Sequence, residues 1–132
     1  MTENIILHDK VKNIIKVDLT NFSDDYEYNK IINCIKNNYD KKNDIYLLIE
    51  TKKLKLENIS LSNLYKFSVF LKEYKKRNIQ YLKRTIINIY NKATYDILYN
   101  LFTYLSEPIA IIVVNLYNKE NLIFVKTFYP SI

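Results

Sequence analysis

Ile45-Tyr46-Leu47-Leu48-Ile49, Thr85-Ile86-Ile87-Asn88-Ile89-Tyr90 and Ile109-Ala110-Ile111-Ile112-Val113-Val114 are three apolar runs inside the stretch Asp44 to Val114. Between them lie Ser62 to Lys76 and Lys92 to Ser106, where apolar residues recur at three- and four-residue steps. Short runs without polar alternation read as strands covered on both faces, and the stepped segments read as amphipathic helices. The stretch is therefore strand, helix, strand, helix, strand.

Working outward toward the N-terminus, Ile5-Ile6-Leu7 reads as a short strand and His8-Asp9-Lys10 as a polar break. Asn13 to Leu19 reads as a second strand, with Ile15, Val17 and Leu19 alternating with Lys16 and Asp18. A helix is expected after Asp24, which with Glu27 forms a capping box. Its buried stripe is Tyr28, Ile31, Ile32 and Ile35, and Asn37-Asn38 with the polar run Tyr39 to Asp44 ends it. Lys52 to Glu57 alternates and suits an edge strand or a loop across the sheet end. Ser60 or Ser62 caps the next helix, whose core face is Leu61, Leu64, Phe67 with Ser68, Leu71 and Tyr74.

Lys72, Lys75, Lys76 and Arg77 gather at the end of that helix, where cations suit the negative end of its dipole. Asn91 caps the third helix, with Tyr95, Leu98, Leu101, Phe102 and Leu105 inward. Glu107-Pro108 stops it, because proline forces the preceding residue out of helical geometry. After the turn Tyr117 to Asn121, Leu122-Ile123-Phe124-Val125 reads as a last strand antiparallel to its predecessor. The expected architecture is one α/β domain over 1–132, a mixed sheet of about five or six strands with three helices packed on it.

Composition narrows the function. Isoleucine (20), lysine (18), asparagine (17) and tyrosine (13) make up just over half the chain, and glycine is absent where roughly nine would be average. These residues have A/T-rich codons, so the bias reads as the signature of an A/T-rich genome. Without glycine, phosphate-cradling loops of the GxGxxG or GxxxxGK[ST] type are excluded. Positive-φ positions are expected to fall on asparagine, as at Asn37-Asn38, Asn91 and Asn118 to Asn121. One cysteine, Cys34, precludes an intramolecular disulfide and reads as a small buried thiol, and the lone His8 cannot anchor a metal site. No cofactor or metal motif stands out. The N-terminus lacks a signal-peptide pattern and no apolar run spans a bilayer, so an intracellular, cytoplasmic location is expected.

The stretch from 44 to 114 also resembles the STAS domain, the fold of bacterial anti-sigma-factor antagonists. In that family an L-x-L-x-[DE] strand leads through a short loop into a helix beginning D-S-S-G-L. Here Leu47-Leu48-Ile49-Glu50 is followed by Leu54-Lys55-Leu56-Glu57-Asn58-Ile59-Ser60-Leu61-Ser62-Asn63-Leu64, with a longer loop and Asn63 in place of the glycine. The resemblance implies a non-catalytic protein-interaction module, switched by phosphorylation of a serine at the helix start. Ser60 and Ser62 are the positions that match. A small domain of this kind in a glycine-free chain also looks like the accessory proteins of large A/T-rich DNA viruses, which would place it in host cytoplasm or virion. Obligate intracellular bacteria and A/T-rich protists share the composition.

The residues bear on three classes of function. A protein-interaction or assembly module with an unknown protein partner is favoured, with self-association through the apolar edge Leu122 to Val125. Its mark would be an exposed patch of Tyr, Leu or Phe. The alternative is a nucleic-acid-binding accessory protein, suggested by the net charge of +6 and requiring Lys41, Lys42, Lys52, Lys53 and Lys55 on one face with exposed tyrosines. An enzyme is not expected; its only candidate carboxylates are Asp18, Asp44 and Glu50 near strand ends. A small ligand between sheet and helices would leave little trace in sequence.

Overall fold

The computed structural model describes residues 14–23 and 25–130. Strand β1 (Ile14–Asp18) leads to helix α1 (Asp25–Asp40), β2 (Ile45–Glu50), α2 (Leu61–Lys75), β3 (Leu82–Ile89), α3 (Lys92–Asn100), β4 (Ile111–Asn118) and β5 (Asn121–Phe128). A 3₁₀ turn, Leu56–Asn58, lies in the loop before α2, so Lys52 to Glu57 forms no edge strand. The strand expected at Ile5 to Leu7 and the cap expected at Asp24 lie outside the described residues.

Strand order in the sheet follows the chain, β1-β2-β3-β4-β5, with the first four parallel and β5 antiparallel to β4. That order has a consequence. Right-handed crossovers between successive neighbours place every helix on the same face. The core agrees: Val17, Leu47, Ile49, Ile87, Ile89, Ile112 and Val114 of one sheet face cluster with Ile31, Ile35, Phe70, Leu71, Leu101 and Phe102 from all three helical segments. Leu48, Ile86, Asn88 and Val113, of opposite strand parity, are not in that cluster. A doubly wound sheet reverses its strand order and opens a crevice at the reversal. Among the described strands there is no such reversal.

Local physics differs from the sequence reading at several points. Helix α1 runs two residues past Asn38, because Tyr39 is buried in the core and not part of a polar linker. Its phenol donates to Gln80 Oε1 at 2.6 Å and accepts from the Leu82 amide at 3.2 Å. Gln80 in turn donates to the carbonyls of Tyr74 and Arg77 at the end of α2. The Glu27 carboxylate accepts from the amides of Thr20 (2.8 Å) and Asn21 (3.0 Å) and from the Thr20 hydroxyl.

Among the described residues the positive-φ positions are lysines, Lys42 and Lys119, both at φ 58°, where the sequence reading expects asparagines. Lys42 ends α1 in a Schellman motif, with Asn43 N–H on Asn38 C=O at 2.9 Å and Lys42 N–H on Tyr39 C=O at 3.1 Å. Lys119 opens the two-residue turn between β4 and β5.

Leu61 does not face the core: as the first residue of α2 it is 80% exposed, and Asn63 turns inward instead. Leu105 is likewise outside, 45% exposed. A π turn, Leu101–Leu105, follows α3, closed by the Ser106 amide on the Leu101 carbonyl at 2.9 Å. The wider turn delays the return to the core by one residue, so Ser106 is buried in its place. Cys34 is partly buried against the core, and burial raises its thiol pKa.

Candidate functional site

Parallel sheets collect functional groups at the carboxyl ends of their strands. Here the pairing register sets four polar residues in one row, Asp18, Glu50, Asn88 and Asn115, on the sheet face turned away from the core cluster. Asn115 Nδ2 donates to Asn88 Oδ1 at 3.0 Å, and Asn88 Nδ2 to Glu50 Oε1 at 3.2 Å. Glu50 Oε2 is buried and receives no hydrogen bond of good geometry among the described residues. Beyond the row, the rings of Tyr90 and Tyr117 stack at 5.5 Å. Burial raises the Tyr90 phenol pKa, and hydrogen bonding to Glu50 and the charges of Glu50 and Tyr117 raise it further. The phenol therefore stays a proton donor beside the carboxylate.

At the β1 side of this row a cleft of about 390 Å³ is lined by Lys16, Asp18, Leu19, Thr20, Glu50, Lys52, Lys53 and Tyr90. Two of the three candidate carboxylates, Asp18 and Glu50, thus share one cleft. Asp44 sits at the other end of β2, 3.8 Å from Lys83 Nζ. The row supplies hydrogen-bond donors and acceptors, two carboxylates and two amides, side by side.

The lysines singled out from the sequence fall into two groups. Lys41 and Lys42 follow α1 at the amino end of β2, whereas Lys52, Lys53 and Lys55 follow its carboxyl end. Six residues of strand separate them, roughly 20 Å at about 3.3 Å per residue. The structure does assemble another basic group. Lys72, Lys75 and Lys76 line an open groove with Thr103, Tyr104, Leu105, Ser106 and Glu107. Lys75 Nζ is tied to the Pro108 carbonyl at 3.1 Å, and Tyr104 is 73% exposed. The sequence held this cluster at the end of α2, but the π turn that brings Tyr104 to it left no signature.

Ser60 is the N-cap of α2, its hydroxyl accepting from the Asn63 amide at 3.3 Å. Ser62 is exposed in the first turn. Asn63, which stands where the STAS pattern has glycine, is buried, and its Nδ2 donates to the Phe22 carbonyl at 2.7 Å.

The third feature is the β5 edge. Leu122 (51%), Ile123 (55%), Phe124 (39%) and Val125 (50%) are all exposed in sequence, on the last strand of the sheet. Aromatic rings extend the apolar surface: Tyr95 lies 5.1 Å from Phe124, Tyr99 6.1 Å from Phe128, and Tyr104 6.5 Å from Tyr99. Between sheet and helices the apolar cavity at the carboxyl end is only about 70 Å³, well below the roughly 300 Å³ at which ligand pockets begin.

The chain matches no protein-family model, no curated protein and no solved structure. Among the described residues no group of three His, Cys, Asp or Glu is placed to hold a metal ion, and no helix is long and apolar enough to cross a membrane.

Proposed function

We propose that the protein is a non-catalytic protein-interaction or assembly module, as the STAS resemblance implies, and that it engages its partner along the β5 edge. The observation that carries this reading is the run Leu122 to Val125, apolar on both faces of an edge strand and exposed along its whole length. Edge strands present unpaired N–H and C=O groups, and proteins ordinarily guard them with charge, proline or brevity. β5 is eight residues long, with no proline and Lys126 as its one charge. Apolar patches of this type mark interaction sites, and added strands are a recurrent mode of recognition.

The test is affinity capture from native host cells with the wild-type chain and with Val125→Lys, after nuclease treatment and in high salt. A protein held by the wild type and lost by the variant supports the reading; equal capture by both overturns it. A second reading rests on the groove of Lys72, Lys75 and Lys76 beside exposed Tyr104, a cationic track next to a stacking ring. Capture of nucleic acid that falls steeply with salt and is lost in Lys72→Glu/Lys76→Glu would favour it.

A further inference from the structure

The occupant of the β5 edge is the open question of the reading above, and the inference here rests on that reading. We infer that it is a second copy of this chain, added antiparallel about a two-fold axis at Phe124 to give one continuous ten-stranded sheet.

Chemistry narrows the occupant. A strand that pairs with Leu122 to Val125 must be apolar on both faces over the same length, or it would bury polar side chains on one of them. In the register centred on Phe124 β5 meets this requirement at Ile123, Phe124 and Val125, and Lys126 lays its aliphatic stem beside Leu122. The opposite edge among the described strands does not: β1 is five residues long and exposes Lys16 and Asp18. Pairing β5 with β1 of another copy is also head-to-tail and builds a ring or an open filament, whereas β5 on β5 closes as an isologous dimer.

Charge permits this register. A two-fold axis perpendicular to the sheet sets one residue opposite its own copy. With Phe124 at the axis, Lys126 lies opposite Leu122 of the second copy. The two ammonium groups are then four residues apart along the strand, about 14 Å at roughly 3.4 Å per residue. That exceeds the Debye length of about 10 Å at 0.1 M salt, so their repulsion is largely screened.

Area is sufficient. The exposed fractions of Leu122 to Val125 amount to nearly two whole side chains, on the order of 400 Å² at roughly 200 Å² each. Tyr99 and Tyr104, reached through the ring contacts of β5, and Leu105, next to Tyr104 in the π turn, bring the total to roughly 700 Å². A standard stable interface buries about 600–1,000 Å² per partner, and the patch lies within that range.

The experiment is light scattering on the full chain across a hundredfold concentration range, with Val125→Lys and Val125→Glu prepared alongside and checked by far-UV circular dichroism. The wild type is expected at twice the 15.9 kDa chain mass and each variant, with an unchanged spectrum, at the single mass. Mixing the two variants is expected to restore the doubled mass, since residue 125 of one copy lies diagonally across the axis from residue 125 of the other, two positions along the strand on the same face, and the two then carry opposite charge. A wild type that stays at the single mass throughout overturns the inference, as does a dimer that survives both substitutions. If the wild type is monomeric while Val125→Lys still abolishes capture of a host protein, only the choice of occupant has failed. If it is monomeric and capture is unchanged, the β5 reading itself has failed.

Discussion

Removing one oxygen from Tyr39 is the sharpest test of how the helices are anchored to the sheet. The phenol is a hinge between three elements: it sits on α1, donates to Gln80, and accepts from the first amide of β3, while Gln80 holds the carbonyl end of α2. Tyr39→Phe keeps the ring and its edge contacts with Tyr74 (4.9 Å) and Tyr81 (5.3 Å), so packing is preserved. What is lost is two hydrogen bonds, and the buried Leu82 N–H is left without its acceptor. A neutral hydrogen bond is worth about 1 kcal/mol net, and a stranded buried donor costs about 1–3 kcal/mol. The expected destabilisation is therefore about 2–3 kcal/mol, or roughly 10 °C in Tm for a domain of this size. Urea titrations followed by far-UV circular dichroism measure it as a shift of midpoint at constant slope. Gln80→Ala in the same series supplies the coupling, because residues in one network are non-additive by about 0.5 kcal/mol or more. A Tyr39→Phe protein within 0.5 kcal/mol of wild type, or strict additivity with Gln80→Ala, would refute the relay.

Other consequences are open to the same kind of measurement. Lys42→Gly and Lys119→Gly each relieve a left-handed residue worth about 1–2 kcal/mol, offset by about 0.4–1 kcal/mol from a freer unfolded chain. Each should stabilise by roughly 0.5–1 kcal/mol, and the pair should add, since they lie at opposite ends of the sheet. Ser60→Ala should cost about 1 kcal/mol as a lost N-cap, whereas exposed Ser62→Ala should stay within about 0.5 kcal/mol. Phosphorylation mapping in extract of the native host tests the switch that the resemblance implies; labelling away from both serines would end it. For Glu27, burial raises the carboxyl pKa. Hydrogen bonds from the Thr20 hydroxyl and the Asn21 and Thr20 amides, with the Lys30 charge, outweigh it and leave the pKa below its ordinary 4.5. A depressed folded pKa means the unfolded chain takes the proton first, so Glu27 stabilises fully above about 4.5 and loses its contribution as pH falls through the folded value. Urea midpoints between pH 7 and 3 should fall less in Glu27→Gln than in wild type, and parallel curves would count against the Thr20–Asn21 anchor.

Much of the architecture is local and so was legible in the chain. Ile45 to Glu50 and Arg84 to Ile89 declare themselves strands because both faces need apolar cover, and Asn91 declares a helix start because its side chain satisfies the Thr94 amide at 2.7 Å. Leu122 to Val125 was visible as an apolar strand, and its place at the sheet edge followed from being last. Tyr39 misled because a tyrosine in a polar run reads as linker; only the Gln80 and Leu82 partners, 41 and 43 residues away, explain its burial.

The sequence by itself determined the order of elements, the apolar stripes in the middle of the helices and the apolar character of β5, since these follow from side-chain periodicity within a few residues. Tertiary structure alone decided that strand order follows the chain, that all helices share one face, and that Asp18, Glu50, Asn88 and Asn115 stand in one row. It also decided which residues bend left-handed and where the π turn throws Leu105 outward. The physical reason is the same in each case. Register and crossover geometry are set by pairings between residues tens of positions apart, whose free energy no local pattern records.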